Sequence, residues 1–222
     1  MIVSLLQATA TCLLLPVAAL AAEPAEYAIR WSDGGPANAH AVIRLLRLEG
    51  KLKVNTFSIQ YFQFAASTPG TNDFSIGRVR TRSDGKVELS YKTRQDISAK
   101  RNPWICPLDG AVSKAEVDVT LRKNDVIRKF SQSCELEARH ALSFPSSLLA
   151  TPKGCTNQMM RTEIGKVKIE EWTTQRGRLI EVSMVGTTSE ADLITFRKMA
   201  EPLLKSGVAP LDRSKTEIGA DC

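Results

Sequence analysis

Basic side chains recur at every second position along one stretch of this sequence. Arg78, Arg80 and Arg82 alternate with Val79 and Thr81, and after a Ser-Asp-Gly segment the alternation resumes with charged members Lys86, Glu88 and Lys92. Arginine binds phosphate oxygens through two parallel hydrogen bonds, and lysine binds them as a point charge. The stretch therefore predicts either an anion-binding surface or the solvated face of a half-buried hairpin.

The turn between the two halves decides whether their charges share a face, because successive strand residues point to opposite faces. If Asp84-Gly85 formed a two-residue loop, Arg82 would pair with Val87 and the arginines would lie beside the apolar row. If residues 83–85 formed a three-residue loop, Arg82 would pair with Lys86. A type I turn closed by a left-handed glycine is the usual three-residue hairpin and suits Ser-Asp-Gly. We therefore predict this loop, with one face carrying Arg78, Arg80, Arg82, Lys86 and Lys92.

Similar alternation along most of the chain predicts a strand-rich protein. Strands are predicted at 26–31, 54–64, 116–122, 166–172, 178–185 and 212–218. Helical spacing predicts helices over 37–48 and from Ser189, which is followed by Asp192 in a near capping box. Residues 95–113 are expected to be an irregular excursion pinned by a disulfide, and 140–157 a loop.

Nearly every predicted strand has one apolar row and one row of mixed charges. In an open sheet this pattern means one solvated face. In a closed barrel with helices outside, it means a charged interior, which is costly unless groups of opposite sign fill it. Rows of arginine and lysine facing acids would be satisfied by a polyanion together with a divalent cation.

The length and charge of the chain exclude some classes of protein. Its 222 residues correspond to one domain, or one domain with a small annex. Its net charge of +6 comes with abundant charges of both signs and is too small to indicate nucleic acid. We therefore expect no nucleic-acid partner.

The first residues have the composition of an export signal. Residues 1–22 carry no charge, include the apolar run 12–20 and offer small residues at Ala19-Leu20-Ala21 for cleavage. We predict a signal peptide over 1–22, a single domain over 23–222, and a periplasmic or secreted protein without a stable membrane span after cleavage. An uncleaved membrane anchor is the alternative, which Gln7 and Pro16 weaken as a span.

The cysteine count fits an exported chain. Cleavage would remove Cys12 and leave four cysteines, an even number that suggests two disulfides. Three connectivities are possible and the sequence does not choose among them. A zinc site is the alternative, but the spacings are wide, there is no Cys-x-x-Cys and the chain has only two histidines. The cysteines concerned are Cys106, Cys134, Cys155 and Cys222.

Several short motifs, in the order in which they occur, resemble the CYTH superfamily, also called triphosphate tunnel metalloenzymes. The family's Glu-x-Glu-x-Lys strand is matched by 26–30, where Ala28 replaces the middle acid, and its Arg-x-Arg and Leu-Thr-x-Lys hairpin is matched by 78–80 and 89–92. Weaker matches are Tyr61-Phe62-Gln63-Phe64, Glu135-Leu136-Glu137, Glu181 with Ser183, and Ser214-Lys215-Thr216-Glu217. A basic strand of the family is matched by Lys166 and Lys168, with Arg128 or Arg161 as alternatives. The resemblance runs from Glu26 to Glu217.

The resemblance implies an α+β fold, a closed antiparallel β-barrel of about eight strands that forms a tunnel, with helices packed outside. It implies an anionic, phosphate-rich small-molecule partner and Mg²⁺ or Mn²⁺ as cofactor. The implied phosphate-binding residues are Arg30, Arg78, Arg80, Lys92, Lys168 and Lys215. The implied metal ligands are Glu26, Glu135, Glu137 and Glu181, and the implied catalytic residues are Glu135, Glu137 and Arg80.

Two departures from the family pattern leave three hypotheses open. Ala28 lacks the middle acid of the first strand, and Ser183 stands where a second acid often lies. The first hypothesis is a metal-dependent phosphohydrolase acting on inorganic triphosphate, short polyphosphate or a related triphosphate-containing substrate. The second is a non-catalytic exported binder of polyphosphate or another anion, and the third is a disulfide-stapled interaction domain without a small ligand.

Overall fold

The structure, a computed structural model, describes residues 22–64, 74–101, 104–139 and 142–221. Nine strands dominate it: β1 (Pro24–Trp31), β2 (Lys53–Phe64), β3 (Phe74–Arg82), β4 (Val87–Asp96), β5 (Val112–Leu121), β6 (Val126–Ala138), β7 (Ala150–Ile164), β8 (Val167–Thr174) and β9 (Gly177–Thr187). Three helices accompany them: α1 (Ala39–Leu46), α2 (Glu190–Lys205) and the short α3 (Lys215–Gly219).

The strands form a closed barrel in the order β1-β5-β6-β4-β3-β2-β7-β8-β9. The predicted class, an α+β fold with a closed barrel, is confirmed. The barrel has nine strands rather than about eight. It is also mixed rather than wholly antiparallel, because β1 pairs in parallel with β5 and antiparallel with β9. Each of these two neighbours places acidic side chains beside the inward-facing row of β1.

The apolar rows of the strands face outward beneath the helices. Tyr27, Ile29 and Trp31 of β1 are buried with the apolar residues of β5, β8 and β9 in one cluster. Helix α2 adds its buried stripe Leu193, Phe196, Ala200 and Leu203 to this cluster. The main core therefore lies between barrel and helices, which leaves the opposite, charged rows to line the barrel interior.

The predicted three-residue turn is present between β3 and β4. The Arg82 amide donates to the Lys86 carbonyl at 2.8 Å, the Gly85 amide donates to the Arg82 carbonyl at 2.9 Å, and Gly85 has a φ of 84°. In the same register Arg80 lies opposite Glu88, and Arg78 lies opposite Ser90. The charged rows of the two strands therefore share one face, as predicted.

Two sequence predictions are wrong. Residues 150–157, predicted as loop, belong to β7, which pairs with β2 through a register shift between Ile59 and Tyr61. Residues 212–218, predicted as a strand, contain α3, whose N-cap Ser214 forms a full capping box with Glu217. Side-chain capping satisfies the free amides of the first turn and so favours a helix there.

The structure tests the predicted disulfides but not the predicted signal peptide. Cys106 and Cys134 form a disulfide, which pins the irregular segment between β4 and β5 as expected. Cys155 is also disulfide-bonded, and Cys222 lies outside the described residues, as do residues 1–21 of the predicted signal peptide. None of the helices in the described ranges is long and apolar enough to cross a membrane.

Candidate anion site inside the barrel

The charged rows surround a cavity of about 510 Å³ inside the barrel. Strands β1, β3, β4, β5 and β6 each bring at least two residues to it, and β2, β7, β8 and β9 bring one each. The segment before and within α3 closes part of its wall. All six predicted phosphate-binding residues line this cavity: Arg30, Arg78, Arg80, Lys92, Lys168 and Lys215. The structure therefore gathers in one space six basic residues that are spread from β1 to α3 along the chain.

Arg78 and Arg80 are held by one acid. Glu88, on the facing strand, accepts from Arg78 Nη2 at 2.7 Å and also binds Arg80 Nη2. Burial would raise the pKa of the Glu88 carboxyl, but the two guanidinium groups outweigh it and lower that pKa below its usual value. Glu88 is therefore ionised at neutral pH and fixes the orientation of both arginines.

Several guanidinium donors in this site remain unused. Arg78 Nε, Arg80 Nε and Arg94 Nη1 are buried and have no hydrogen-bond partner among the described residues. A buried donor left unpaired costs roughly 1–3 kcal/mol, which an incoming acceptor would recover. All three arginines line the cavity, so their guanidinium groups are near any anion that binds there.

A second buried network joins the walls on the opposite side. Glu170 accepts two hydrogen bonds from Arg161, at 2.9 and 2.6 Å, and one from Lys215 Nζ at 2.8 Å. Lys215 also donates to Glu181 Oε1 at 2.6 Å, while Arg30 Nε donates to Glu181 Oε2 at 2.8 Å. Burial opposes the charge of Glu170, but Lys215 and Arg161 lower its pKa well below the usual value. Both oxygens of Glu181, a predicted metal ligand, are thus already engaged.

A cluster of three acids lies elsewhere in the cavity. One ligand oxygen from each of Glu26, Glu116 and Asp118 lies within 4.8 Å of the others. Asp118 stands beside Glu26 in the parallel β1–β5 register. Lys92 Nζ is 3.2 Å and Arg94 Nε 2.6 Å from Asp118, and these cations outweigh burial and lower its pKa. Three carboxylate side chains at this spacing are the kind of donor set that a hard divalent cation takes.

The two departures from the family pattern meet at one place. Ala28 lies opposite Ser183 in the β1–β9 register, so both expected carboxylates are missing from the same spot on that side of β1. On the other side of β1, strand β5 supplies Glu116 and Asp118. The acid cluster that could hold a metal therefore lies on β1 and β5.

Only some of the remaining predicted site residues line this cavity. Glu135 lines the cavity, with its side chain about half exposed, and lies 3.5 Å from Arg78 Nη2. Glu137 does not line this cavity; it binds Lys86 and lines a smaller, neighbouring cavity. Of the alternatives considered for the basic strand, Arg161 lines the cavity, whereas Arg128 is exposed.

Sequence reasoning did not assign several residues of the site. Glu116 and Asp118 alternate with Val117 and Val119, and this pattern predicts their strand but not their proximity to Glu26. The other unassigned residues are Glu88, Arg94 and Glu170, each on a predicted charged row or in line with one. Alternation with apolar residues indicated that they lie on charged rows of strands. Which rows come together depends on how the barrel closes, and the sequence pattern does not give that.

Comparison with known proteins shows similarity of fold. No family model matches the sequence, and no curated protein matches it. Among solved structures, HpAC1 from Hippeastrum, a candidate adenylyl cyclase described with a dominant triphosphatase activity, aligns with a TM-score of 0.51 at 15% identity over 88% of this chain and 94% of its own. A candidate adenylate cyclase from Vibrio parahaemolyticus aligns with a TM-score of 0.47 at 11% identity over 87% and 96%. The barrel fold that the resemblance implied is thus confirmed.

Proposed function

We propose that this protein is a metal-dependent phosphohydrolase that acts on inorganic triphosphate or short polyphosphate inside the barrel. The observation that carries the proposal is the interior cavity, where the six predicted basic side chains converge together with other lysines and arginines. Three guanidinium N–H groups there lack a partner within the described part of the chain. Charge-assisted bonds from arginine and lysine are the strongest that a protein offers to phosphate oxygens. A small, highly charged oligophosphate suits a cavity of about 510 Å³.

The acids of β1 and β5 fit a divalent metal. Glu26, Glu116 and Asp118 would hold Mg²⁺ or Mn²⁺ by one oxygen each. Such an ion, when bound, neutralises phosphate charge and lowers the pKa of water. Of the ligands predicted from the sequence, Glu26 belongs to this set, whereas Glu135, Glu137 and Glu181 lie outside it.

The side chains of the cavity would do most of the catalytic work by positioning and charge stabilisation. Arg78 and Arg80, held by Glu88, present fixed donors where negative charge develops on the transferred phosphoryl group. Glu135 lies at the cavity wall, where its carboxylate can orient a water molecule. No residue needs to form a covalent intermediate.

Phosphate release tests the proposal. The purified protein is expected to release phosphate from tripolyphosphate with Mg²⁺ or Mn²⁺ and to lose this activity in chelator. Arg80→Gln should lower the rate at least about 100-fold, because one oriented donor to the transition state is typically worth that much. Arg82→Gln is the matched control, since Arg82 lies two residues on and pairs with Asp84 outside this cavity. A protein that is inert on all short polyphosphates with either metal would refute the proposal.

A second candidate is an anion binder without turnover, and the facing pair Ala28 and Ser183 favours it. With two family carboxylates missing at one place, the site would bind oligophosphate but lack the acids for hydrolysis. Tripolyphosphate would then raise the melting temperature in proportion to occupancy, without phosphate release. An equal shift with and without metal would support this reading over the first.

The proposed location is outside the cytosol. The apolar leader and the Cys106–Cys134 disulfide are typical of an exported chain. Inorganic triphosphate and short polyphosphate fit such a compartment better than nucleoside triphosphates, which are mostly cytosolic. Fractionation of cells that express the full chain, with mass determination of the mature N-terminus, tests both the export and the cleavage after residue 22.

A further inference from the structure

The charged interior of the barrel is divided into two spaces. A second cavity, of about 180 Å³, neighbours the first. Arg80 and Arg161 line both cavities, so these two side chains stand between them. Glu88 lines only the second cavity. We call Arg80, Arg161 and Glu88 the floor of the first cavity.

The floor is fixed by contacts on every side. Glu88 binds Arg80 and Arg78, and Arg161 is bound twice by Glu170. The Phe57 ring lies against both floor arginines, 4.9 Å from the Arg80 guanidinium carbon and 5.5 Å from that of Arg161. Glu88 is only 7% exposed and Arg80 only 9%. Opening a passage here would require buried ion pairs to separate, which is strongly unfavourable.

The floor also discriminates between the end of a phosphate chain and its middle. Arg78 and Arg80 line the first cavity, and the Nε of each has no partner among the described residues. A terminal phosphate offers three unshared oxygens to such guanidinium groups. An internal phosphate offers two, and its chain must continue past the floor. Beyond the floor it would meet the carboxylate of Glu88, whose lowered pKa keeps it charged at neutral pH.

We propose that the first cavity is a blind pocket that takes oligophosphates end-on, with a free terminal phosphate against Arg78, Arg80 and Arg161. Its ligand class is therefore free-ended oligophosphate, and chains blocked at both ends are excluded. This inference rests on the proposed function, because it assumes that the cavity binds oligophosphate at all.

Two nucleotides with the same number of phosphates test the pocket. Adenosine 5′-tetraphosphate has one free phosphate end, and diadenosine 5′,5‴-tetraphosphate has none. Calorimetric titration of the full protein in chelator, where the metal-dependent reaction cannot proceed, should show at least tenfold tighter binding of the free-ended ligand. Tripolyphosphate serves as the reference ligand. Comparable affinities for the two nucleotides would overturn the blind pocket while leaving the proposed function intact. Absence of any binding, including that of tripolyphosphate, would overturn both.

Variants test whether the floor residues cause the preference for the free-ended nucleotide. Arg80→Gln should reduce the affinity ratio between the two nucleotides towards one, since it removes a donor reserved for the terminal phosphate. Arg82→Gln, on the same strand, lines only the second cavity and should keep the ratio. Glu88→Gln preserves the side-chain shape but weakens the contacts that hold both arginines, so it should also lower the affinity ratio. It replaces Arg80→Gln as the test if that variant fails to fold. A tenfold ratio that persists in a folded Arg80→Gln or Glu88→Gln protein would show that the floor does not select the chain end.

Discussion

Glu170 shows how a single buried carboxylate connects stability to the site. It is 1% exposed, accepts from Arg161, Lys215 and the Trp172 indole, and thereby joins β7, β8 and α3. Two of these partners are cations that line the interior cavity. Removing the negative charge would leave them facing each other without compensation, which is the costly way to break a buried ion pair.

Glu170→Gln is therefore expected to lower the free energy of unfolding by about 3–5 kcal/mol. Urea denaturation followed by tryptophan fluorescence measures this change. Glu171→Gln is the matched control, because the neighbouring Glu171 points to the other face and contacts Arg178 at 3.4 Å near the surface. If the two variants lost similar stability, the buried network would not contribute as described.

Asp118 distinguishes the two possible sets of metal ligands. It lies in the cluster with Glu26 and Glu116, whereas Glu137 lies outside the cavity. Asp118→Asn should raise the Mn²⁺ concentration for half-maximal phosphate release at least about tenfold, as expected when a ligand is lost. Glu137→Gln should leave that concentration unchanged. Electron paramagnetic resonance of bound Mn²⁺ gives a second readout that does not depend on turnover. The opposite ranking of the two variants would restore the ligand set predicted from the sequence.

At the scale of elements, the β3–β4 hairpin determines which face its arginines occupy. With a three-residue turn, Arg80 lies opposite Glu88, and Arg78 and Lys92 lie on the same face. Gly85 sits in the left-handed region at φ 84°, with no neighbouring atom within 4 Å of an added Cβ. Only backbone strain, and no clash, would therefore oppose a side chain at this position.

Gly85→Ala is expected to cost about 1 kcal/mol of stability, because alanine resists the left-handed conformation. Gly85→Asn should cost less, since asparagine tolerates that region. Binding of tripolyphosphate should remain in both variants, because the register is maintained by the paired strands. Thermal unfolding and calorimetry measure the two effects. Loss of binding in a stable Gly85→Ala protein would show that the turn itself sets the register.

Local sequence patterns predicted where strands and helices lie along the chain better than they predicted which strands pair in the barrel. The hairpin turn, α1 and α2 followed from side-chain alternation, helical spacing and the Ser189 cap. Strand β7 was missed, in its first half because Pro152 and Gly154 are typical of loops. Helix α3 was missed because alternation concealed the Ser214 capping box. The parallel pairing of β1 with β5 depends on closure of the whole barrel, and no local pattern encodes it. The acids that this pairing brings to Glu26 were missed for the same reason.

The whole molecule keeps its charged interior by pairing acids with bases across strands. Glu26, Glu88, Asp118 and Glu170 all have a lowered pKa, although burial alone would raise each one. In each case neighbouring lysines or arginines supply the opposing effect. The carboxylates of the barrel thus balance its interior cations, and protonating them would leave an interior of unbalanced positive charge.

Acid should therefore unfold this barrel steeply. A carboxyl whose folded pKa is depressed contributes stability that is complete above its unfolded pKa, about 4, and is lost as pH falls towards the folded value. The free energy of unfolding should be nearly constant above about pH 5 and fall below about pH 4, where the unfolded chain binds more protons. Glu170→Gln should reduce that slope by up to one proton, or about 1.4 kcal/mol per pH unit. Urea titrations between about pH 3 and pH 7 measure both slopes. A wild-type stability that is flat across this range would contradict the charge balance inferred for the interior.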